Sequence, residues 1–401
     1  MRRRLTATGI LTALAIAFAG QPAQAKLDSC DGPITLGTTI SLTGPFSTLA
    51  DKWGVMTDNF VKEFNKTGGV FVKSCNKKIP IKIVYYDDQS IPAQAVSLYE
   101  KMATVDKVDL FVGPDWSSHG YPVSQIFEKY KIPSVMTNVA TPKIYARGFK
   151  YIHGIALNAN TWSTNYFNLV VKQNPRPKTI YWVIHDNLVT KTVQSIFEKY
   201  AAKVGIKTIG KETFAGSTKD FSGIILKIKA AHPDIIYVAS FDSVSVPLMQ
   251  QMRQLRVHAL DVHHMMATGG LARKANLEGV TGEVYWLEQF RGPYHDLAVK
   301  VLKDSGINTF DYLWTGSRLS AYLVMIQAIE RAGVVDRQKV ADALNVPGAT
   351  WKHLGGTFKF SPGGLSKIVA FTHQIQHGKP VIIAPPDKAT GKLIWPSPSW
   401  Q

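Results

Sequence analysis

The 401-residue sequence predicts an α/β protein built from two parallel-sheet lobes, and three observations carry that expectation. First, the segment Asn65–Val96 reads NKTGGVFVKSCNKKIPIKIVYYDDQSIPAQAV. A glycine pair (Gly68, Gly69) closes a helical pattern, an apolar strand (Ile79–Tyr86) ends in Asp87-Asp88, and Pro92 opens the next helix. This is one helix–strand–helix step of a parallel sheet. Second, the same alternation continues through most of the chain. Third, the length is long for one domain and ordinary for two.

In chain order, the first element is a leader, MRRRLTATGILTALAIAFAGQPAQA. Three arginines precede an apolar or small-residue core (Leu5–Gly20), and Ala23-Gln24-Ala25 has the small-x-small form that a signal peptidase cuts. The core is short for a bilayer span, and no later stretch is long and apolar enough to cross one. The expectation is a signal peptide over residues 1–25, cleaved after Ala25, and a soluble chain exported to the periplasm. Strands are expected at Ile34–Ile40, Ile79–Tyr86, Leu110–Val112, Ser134–Thr137, Thr179–Ile184, Lys207–Thr213, Ile235–Ala239, Val257–Met266, Gly282–Leu287 and Ile368–Gln376. Between them the apolar residues recur every three or four positions, the mark of helices. In Asp51–Asn65, for example, Trp53, Met56, Phe60 and Phe64 share one face and read as core. Further helices are expected at Ala93–Val105, Gly120–Tyr130, Trp162–Lys172, Lys191–Val204, Phe221–Ala231, Val246–Leu255 and Trp314–Ala332. The end, Pro385–Gln401, is rich in Pro, Ser and Lys and reads as an extended tail.

Charge excludes more than it assigns. The chain carries +17; loss of the leader removes three arginines and no acid, leaving +14. The lysines are scattered, with no basic run and no aromatic-plus-arginine motif, so nucleic acid is not an expected partner. Only Cys30 and Cys75 are present. Each lies just before one of the first two strands, which are parallel neighbours in a doubly wound sheet, so both sulfurs fall near one sheet edge. In an exported chain that placement predicts a disulfide. A catalytic or metal-binding thiol pair is the alternative, with nothing near it in support.

Enzyme signatures are missing: there is no GxSxG elbow, no GxxxxGK[ST] loop and no HExxH. His263 and His264 are adjacent on an expected strand, so they point to opposite faces; with His258 they read as packed or surface residues. No metal and no cofactor is expected. Asp87-Asp88 read as loop and capping residues. Ligand chemistry in open α/β sheets belongs outside the carboxyl ends of the strands, where strand order reverses. For an order 2-1-3-4-5 that point is flanked by Ser41–Phe46 and by Gly113–Ser118. Ser117 and Ser118, opening a helix, offer hydroxyls and N–H groups suited to a carboxylate, or act only as caps. Phe46 and Trp116 can stack on a ring or simply pack.

Several runs in order along nearly the whole mature chain resemble the leucine/isoleucine/valine-binding protein family. They are Thr43-Gly44-Pro45, Asn65 with Gly68-Gly69-Val70, Tyr86-Asp87-Asp88, Pro92-Ala93-Gln94-Ala95-Val96 and Gly113 with Ser117-Ser118. Later in the chain come Ala140-Thr141-Pro142, Ile184-His185-Asp186, Lys219-Asp220-Phe221-Ser222 and Phe360-Ser361-Pro362-Gly363-Gly364. The resemblance implies the type I periplasmic binding fold, two doubly wound lobes joined by three crossovers around a cleft that closes on a solute. It implies lobes of residues 26–157 plus 287–369 and 158–286 plus 370–401. It further implies that Ser117 and Thr141 hold the ligand's carboxylate and amino group, with Val139 offering its carbonyl. Second-lobe positions on or near Thr190 and Phe241 or Asp242 close over the ligand. In the amino-acid binders the loop matching Met266–Gly270, which contains Thr268, carries an acid that pairs with the ammonium. Here it carries none.

A buried ammonium without a counter-charge is expensive to desolvate. The expected ligand is therefore a carboxylate without an ammonium, aromatic for preference given Phe46, Trp116 and Phe241; an amide or urea-like solute, or an amino acid paired with Asp242, remains open. The function implied is capture of a small solute, without bond making, for the permease of an ABC importer at the inner membrane, by a monomer. A ligand sensor of the same fold is the alternative.

Overall fold

The computed structural model describes residues 30–397 and Trp400, apart from the side chains of residues 242 and 243. The expected leader and its cut after Ala25 lie outside the described residues, as do 398, 399 and 401.

Seven strands come first: β1 (Ile34–Ile40), β2 (Val70–Val72), β3 (Lys77–Ile79), β4 (Ile81–Asp87), β5 (Leu110–Asp115), β6 (Ser134–Thr137) and β7 (Ile152–Ile155). Five of them form a parallel sheet in the order β4-β1-β5-β6-β7. The order reverses between β1 and β5, the expected 2-1-3-4-5 pattern. Next come β8 (Thr179–His185), β9 (Lys207–Phe214), β10 (Ile235–Ala239), β11 (Asp261–His264) and β12 (Thr281–Val284). A hairpin, β13 (Thr350–His353) with β14 (Gly356–Lys359), precedes β15 (Phe371–Gln376) and β16 (Lys379–Ala384). The second sheet runs β16-β15-β12-β11-β10-β8-β9, parallel from β9 to β12 and antiparallel at β15 and β16.

The chain crosses between the sheets three times: after β7, after β12 and just before β15. After the second crossing, helix His295–Asp304 packs on helix Trp53–Asn65, and helix Thr315–Ala332 packs against β5, β6 and β7. The result is two doubly wound α/β lobes with a cleft between them. Trp53, Met56, Phe60 and Phe64 are buried on one helix face, as their spacing demands.

The expected strand Ile79–Tyr86 is divided. Pro80 has no N–H for a ladder, so Lys77–Ile79 turns away to pair with Val70–Val72, and only Ile81–Asp87 joins the sheet beside β1. Gly69 is forced by that hairpin: its φ is +95°, and a Cβ there would stand 2.1 Å from the Ile79 carbonyl oxygen. Val257–Met266 shortens to β11, and its last residues leave the sheet toward the cleft. The disulfide between Cys30 and Cys75 is present, spanning a separation of 45 residues. The tail is extended but not loose. Ser397 donates its N–H to the Leu260 carbonyl at 2.8 Å, and the buried Trp400 accepts the Ala259 N–H, also at 2.8 Å. Burial of that indole is what draws the chain end back onto the second lobe.

Candidate functional site

The carboxyl ends of β1 and β5 in one lobe and of β8, β10 and β11 in the other face one narrow cavity. Its wall is formed by Phe46, Trp116, Ser117, Ser118, Asn138, Ala140, Ala156, Leu157, Trp162, Asn187, Val189, Phe241, Met266 and Trp314. About 40 Å³ remains free for the centres of water-sized molecules, so the lobes are closed on little space. Among the described residues of this wall none is charged.

Five aromatic rings dominate it. Phe46 stacks on Trp116 at 4.9 Å, and Trp116 stacks in turn on the buried Trp53 at 5.8 Å. Phe46 meets Phe241 of the other lobe edge to face at 6.2 Å. Trp162 of the second lobe meets Trp314 of the first edge to face at 5.4 Å. Both of these indoles are buried, and the Nε1–H of each lacks a hydrogen-bond partner. A buried donor left in that state costs about 1–3 kcal/mol, which an acceptor on a ligand would recover.

Ser117 and Ser118 open the helix Ser117–Tyr130; their N–H groups have no acceptor within the helix, whereas those of His119 and Gly120 donate to the Trp116 carbonyl at 3.2 and 2.9 Å. The Ser117 hydroxyl oxygen accepts the Thr141 N–H at 3.3 Å, leaving its proton to donate elsewhere. Asp87 and Asp88 brace the opposite loop. Asp87 accepts from the Leu42 N–H at 3.0 Å and the Thr43 hydroxyl at 2.6 Å; Asp88 accepts from the hydroxyls of Thr39 at 2.8 Å and Ser41 at 2.6 Å. Ser41 in turn accepts the Trp116 indole N–H at 3.3 Å. These carboxylates therefore set the position of the ring wall without entering it. Beneath it Arg318, fully buried, pairs with Asp115, which also accepts from Thr137.

Of the residues singled out from sequence, Phe46, Trp116, Ser117, Ser118 and Phe241 come together in the cavity wall. Thr141 is buried one step behind Ser117. The Val139 carbonyl accepts the Tyr145 hydroxyl at 2.8 Å. Thr190 turns its hydroxyl onto the carbonyls of His185 and Asn187 at 2.6 and 2.9 Å, so Asn187 and Val189 line the cavity in its stead. The Thr268 hydroxyl oxygen accepts the Leu271 N–H at the start of helix Gly269–Ala275. That threonine borders a second, outer cavity of about 690 Å³ on the same seam, together with Lys52, Arg273, Asp311 and Tyr312. The Asp242 side chain lies outside the described residues. Trp162, Trp314, Asn138 and Asn187 were not signalled, although both tryptophans mark expected helix starts. Among the described residues no His/Cys/Asp/Glu group could hold a metal ion. His263 and His264 are buried and bonded, His263 to Thr281 and Glu283, His264 to Ser245.

Two doubly wound lobes with a cavity between them are the architecture of a cleft-type binding protein. The chain belongs to the periplasmic binding protein family, whose model matches residues 33–376. It is 26% identical over 342 residues to a leucine-, isoleucine-, valine-, threonine- and alanine-binding protein of Pseudomonas aeruginosa, covering 82% of this chain and 86% of that one. Among solved structures it resembles the branched-chain amino acid transporter substrate-binding protein LivJ of Streptococcus pneumoniae in complex with isoleucine. That likeness has a TM-score of 0.74 at 15% identity, over 88% of this chain and 100% of that one. A solute-binding protein of an ABC transporter from Rhodopseudomonas palustris, in complex with p-hydroxybenzoic acid, gives 0.73 at 17% identity, over 92% and 98%. The relatives are binding proteins of transport systems, not enzymes.

Proposed function

We propose that this protein is the solute-capturing component of an ABC importer and that its ligand is a small organic carboxylate, an aromatic acid first. The observation that carries the reading is the wall itself: five aromatic rings, uncharged donors, and no charged side chain among its described residues. Rings favour a flat apolar body. The Ser117 and Ser118 hydroxyls and helix N–H groups suit a carboxylate, and the two partnerless indole N–H groups suit a second oxygen. An α-amino acid would bring an ammonium with no counter-charge, unless Asp242 supplies one. The hydroxybenzoate-bound neighbour makes the aromatic reading chemically reasonable for this fold; the amino-acid-binding relatives make the amino acid its rival.

Capture works by population shift. The solute touches both lobes, so it favours the closed form, and the lobes must part to admit it. The lobes are residues 26–157 plus 287–369 and 158–286 plus 370–401; the exported monomer, cut after Ala25, would present its closed form to the permease in the periplasm. A thermal-shift and calorimetric screen of benzoate, 4-hydroxybenzoate, aliphatic acids, amides and amino acids tests the ligand class. Aromatic acids are expected as the strongest hits; branched-chain amino acids as the sole hits would overturn it.

A further inference from the structure

Behind Ser118 stands a group that the proposed binding chemistry leaves unused. The His119 side chain is fully buried, with Nδ1 3.1 Å from the Ser118 hydroxyl oxygen and Nε2 3.7 Å from Asp88 Oδ1. Its Nε2 has no hydrogen-bond partner. Its ring packs edge-on against Phe46 at 5.9 Å. The charged group that faces it is Asp88, on the loop after β4. The other buried charges nearby, Asp115 and Arg318, are paired with each other and adjoin Asp88.

A neutral imidazole carries one donor nitrogen and one acceptor nitrogen. A proton on Nε2 suits the facing Asp88 carboxylate, and Nδ1 is then an acceptor. Ser118 must donate to it, which turns the hydroxyl's lone pairs toward the cavity, the wrong polarity for a carboxylate. When the imidazole is protonated both nitrogens donate. Nδ1–H then points at the Ser118 oxygen, and the Ser118 proton is released toward the cavity. We infer that His119 is a proton-linked positioning residue: a carboxylate bound at Ser118 selects the imidazolium, so capture of the anion is accompanied by uptake of a proton on His119. This rests on the carboxylate reading above and adds to it a source of positive charge one bond behind an uncharged wall.

Geometry and environment agree on the sign. Burial pulls His119 below the usual histidine range, with Asp88 opposing, and a bound anion would raise it. Affinity for a carboxylate is then full at low pH and weakens as pH rises through the window between the two values, by up to about tenfold per unit for one proton. A neutral amide would show no such slope.

The test is calorimetry of the exported protein with benzoate, 4-hydroxybenzoate and leucine from pH 5.5 to 8.5, in buffers of different ionisation enthalpy. Binding of a carboxylate with up to one proton taken up, and with affinity falling toward alkaline pH, is expected. In His119→Asn the slope and the proton uptake should vanish while weaker binding persists. Ser118→Ala should abolish the proton uptake by removing the relay, and it serves if the histidine variant does not fold. Carboxylate binding that is pH-independent with no proton taken up overturns the inference while leaving the ligand class standing. Absence of any acid binding at every pH overturns the ligand class, and this inference with it.

Discussion

Arg273 of the second lobe reaches Asp311 of the first at 2.9 Å, across the outer end of the seam between them. Beside it the Gly269 N–H donates to the Phe310 carbonyl at 2.9 Å, so helix Gly269–Ala275 is tied to the 308–312 loop at two points. The loop belongs with the first lobe, where Tyr312 donates to Asp51 at 2.9 Å. The Arg273 and Gly269 contacts bridge the two lobes, so parting the lobes there would break both. Because Arg273 is largely exposed, its pair is screened and its contribution modest. Arg273→Ala should weaken solute affinity about two- to fivefold by favouring the open form, and the loss should shrink in high salt. Titration calorimetry at two ionic strengths measures it; unchanged affinity would remove the pair from the closure equilibrium.

Ser117 lines the cavity and Thr141 does not, although Thr141 holds Ser117 through its backbone. Ser117→Ala should therefore reduce carboxylate affinity about tenfold, as expected for a lost hydrogen bond to a charged group. Thr141→Ala should reduce it far less, because the N–H that matters is retained. Equal losses would indicate that the Thr141 hydroxyl itself reaches the ligand.

Trp162→Phe and Trp314→Phe keep a ring in the wall and remove its donor. With 4-hydroxybenzoate each should lose about three- to tenfold in affinity, the value of one hydrogen bond. Benzoate, which lacks the phenolic oxygen, should be less affected. Identical losses for the two acids would mean that the indoles act as apolar surface alone.

Reduction of Cys30–Cys75 releases a 45-residue separation in the unfolded chain. The chain-entropy account puts its contribution at about 4 kcal/mol, so the melting temperature should fall by several degrees on reduction or in a Cys30→Ser/Cys75→Ser double variant. Two free thiols in the purified, unreduced protein would contradict the bridge.

Acid should destabilise the fold through histidines buried neutral. Desolvation pushes His153, His264 and His353 down to about 3 and His373 to about 4. The unfolded chain takes up these protons near pH 6.5, so their contribution is complete above that value and is lost as pH falls toward 3–4. The slope is up to about 1.4 kcal/mol per pH unit for each histidine. Melting temperature measured from pH 8 to 4 should fall steadily below 6.5; a flat profile would show these side chains already solvated.

How much of this could be read from the chain follows from what is local. The strand order and the serines at Ser117-Ser118 are written within short segments, as alternation, a helix start and a switch-point loop. Trp116 and Phe241 could be placed because they stand one and two residues past the ends of β5 and β10, and Phe46 because it closes the loop that follows β1. The expectation on or near Thr190 falls beside the wall: Asn187 and Val189 line the cavity, and the Thr190 hydroxyl holds the loop that presents them. Trp162 and Trp314 gave no signal because their role depends on two segments from opposite lobes meeting. His119 carries no sequence signal, because a single histidine inside a helix reads as packing until its neighbours are known. Pro80 was legible in principle, since a missing N–H cannot sit inside a central ladder.

The edge-to-face meeting of Trp162 with Trp314 has a further consequence. Each indole belongs to a different lobe, and neither N–H is quenched by a fixed partner, so the emission of this pair should depend on whether the jaws are open, shut or occupied. The protein thereby carries an intrinsic optical gauge at the point where its two halves touch, and its motion can be followed without attaching any dye.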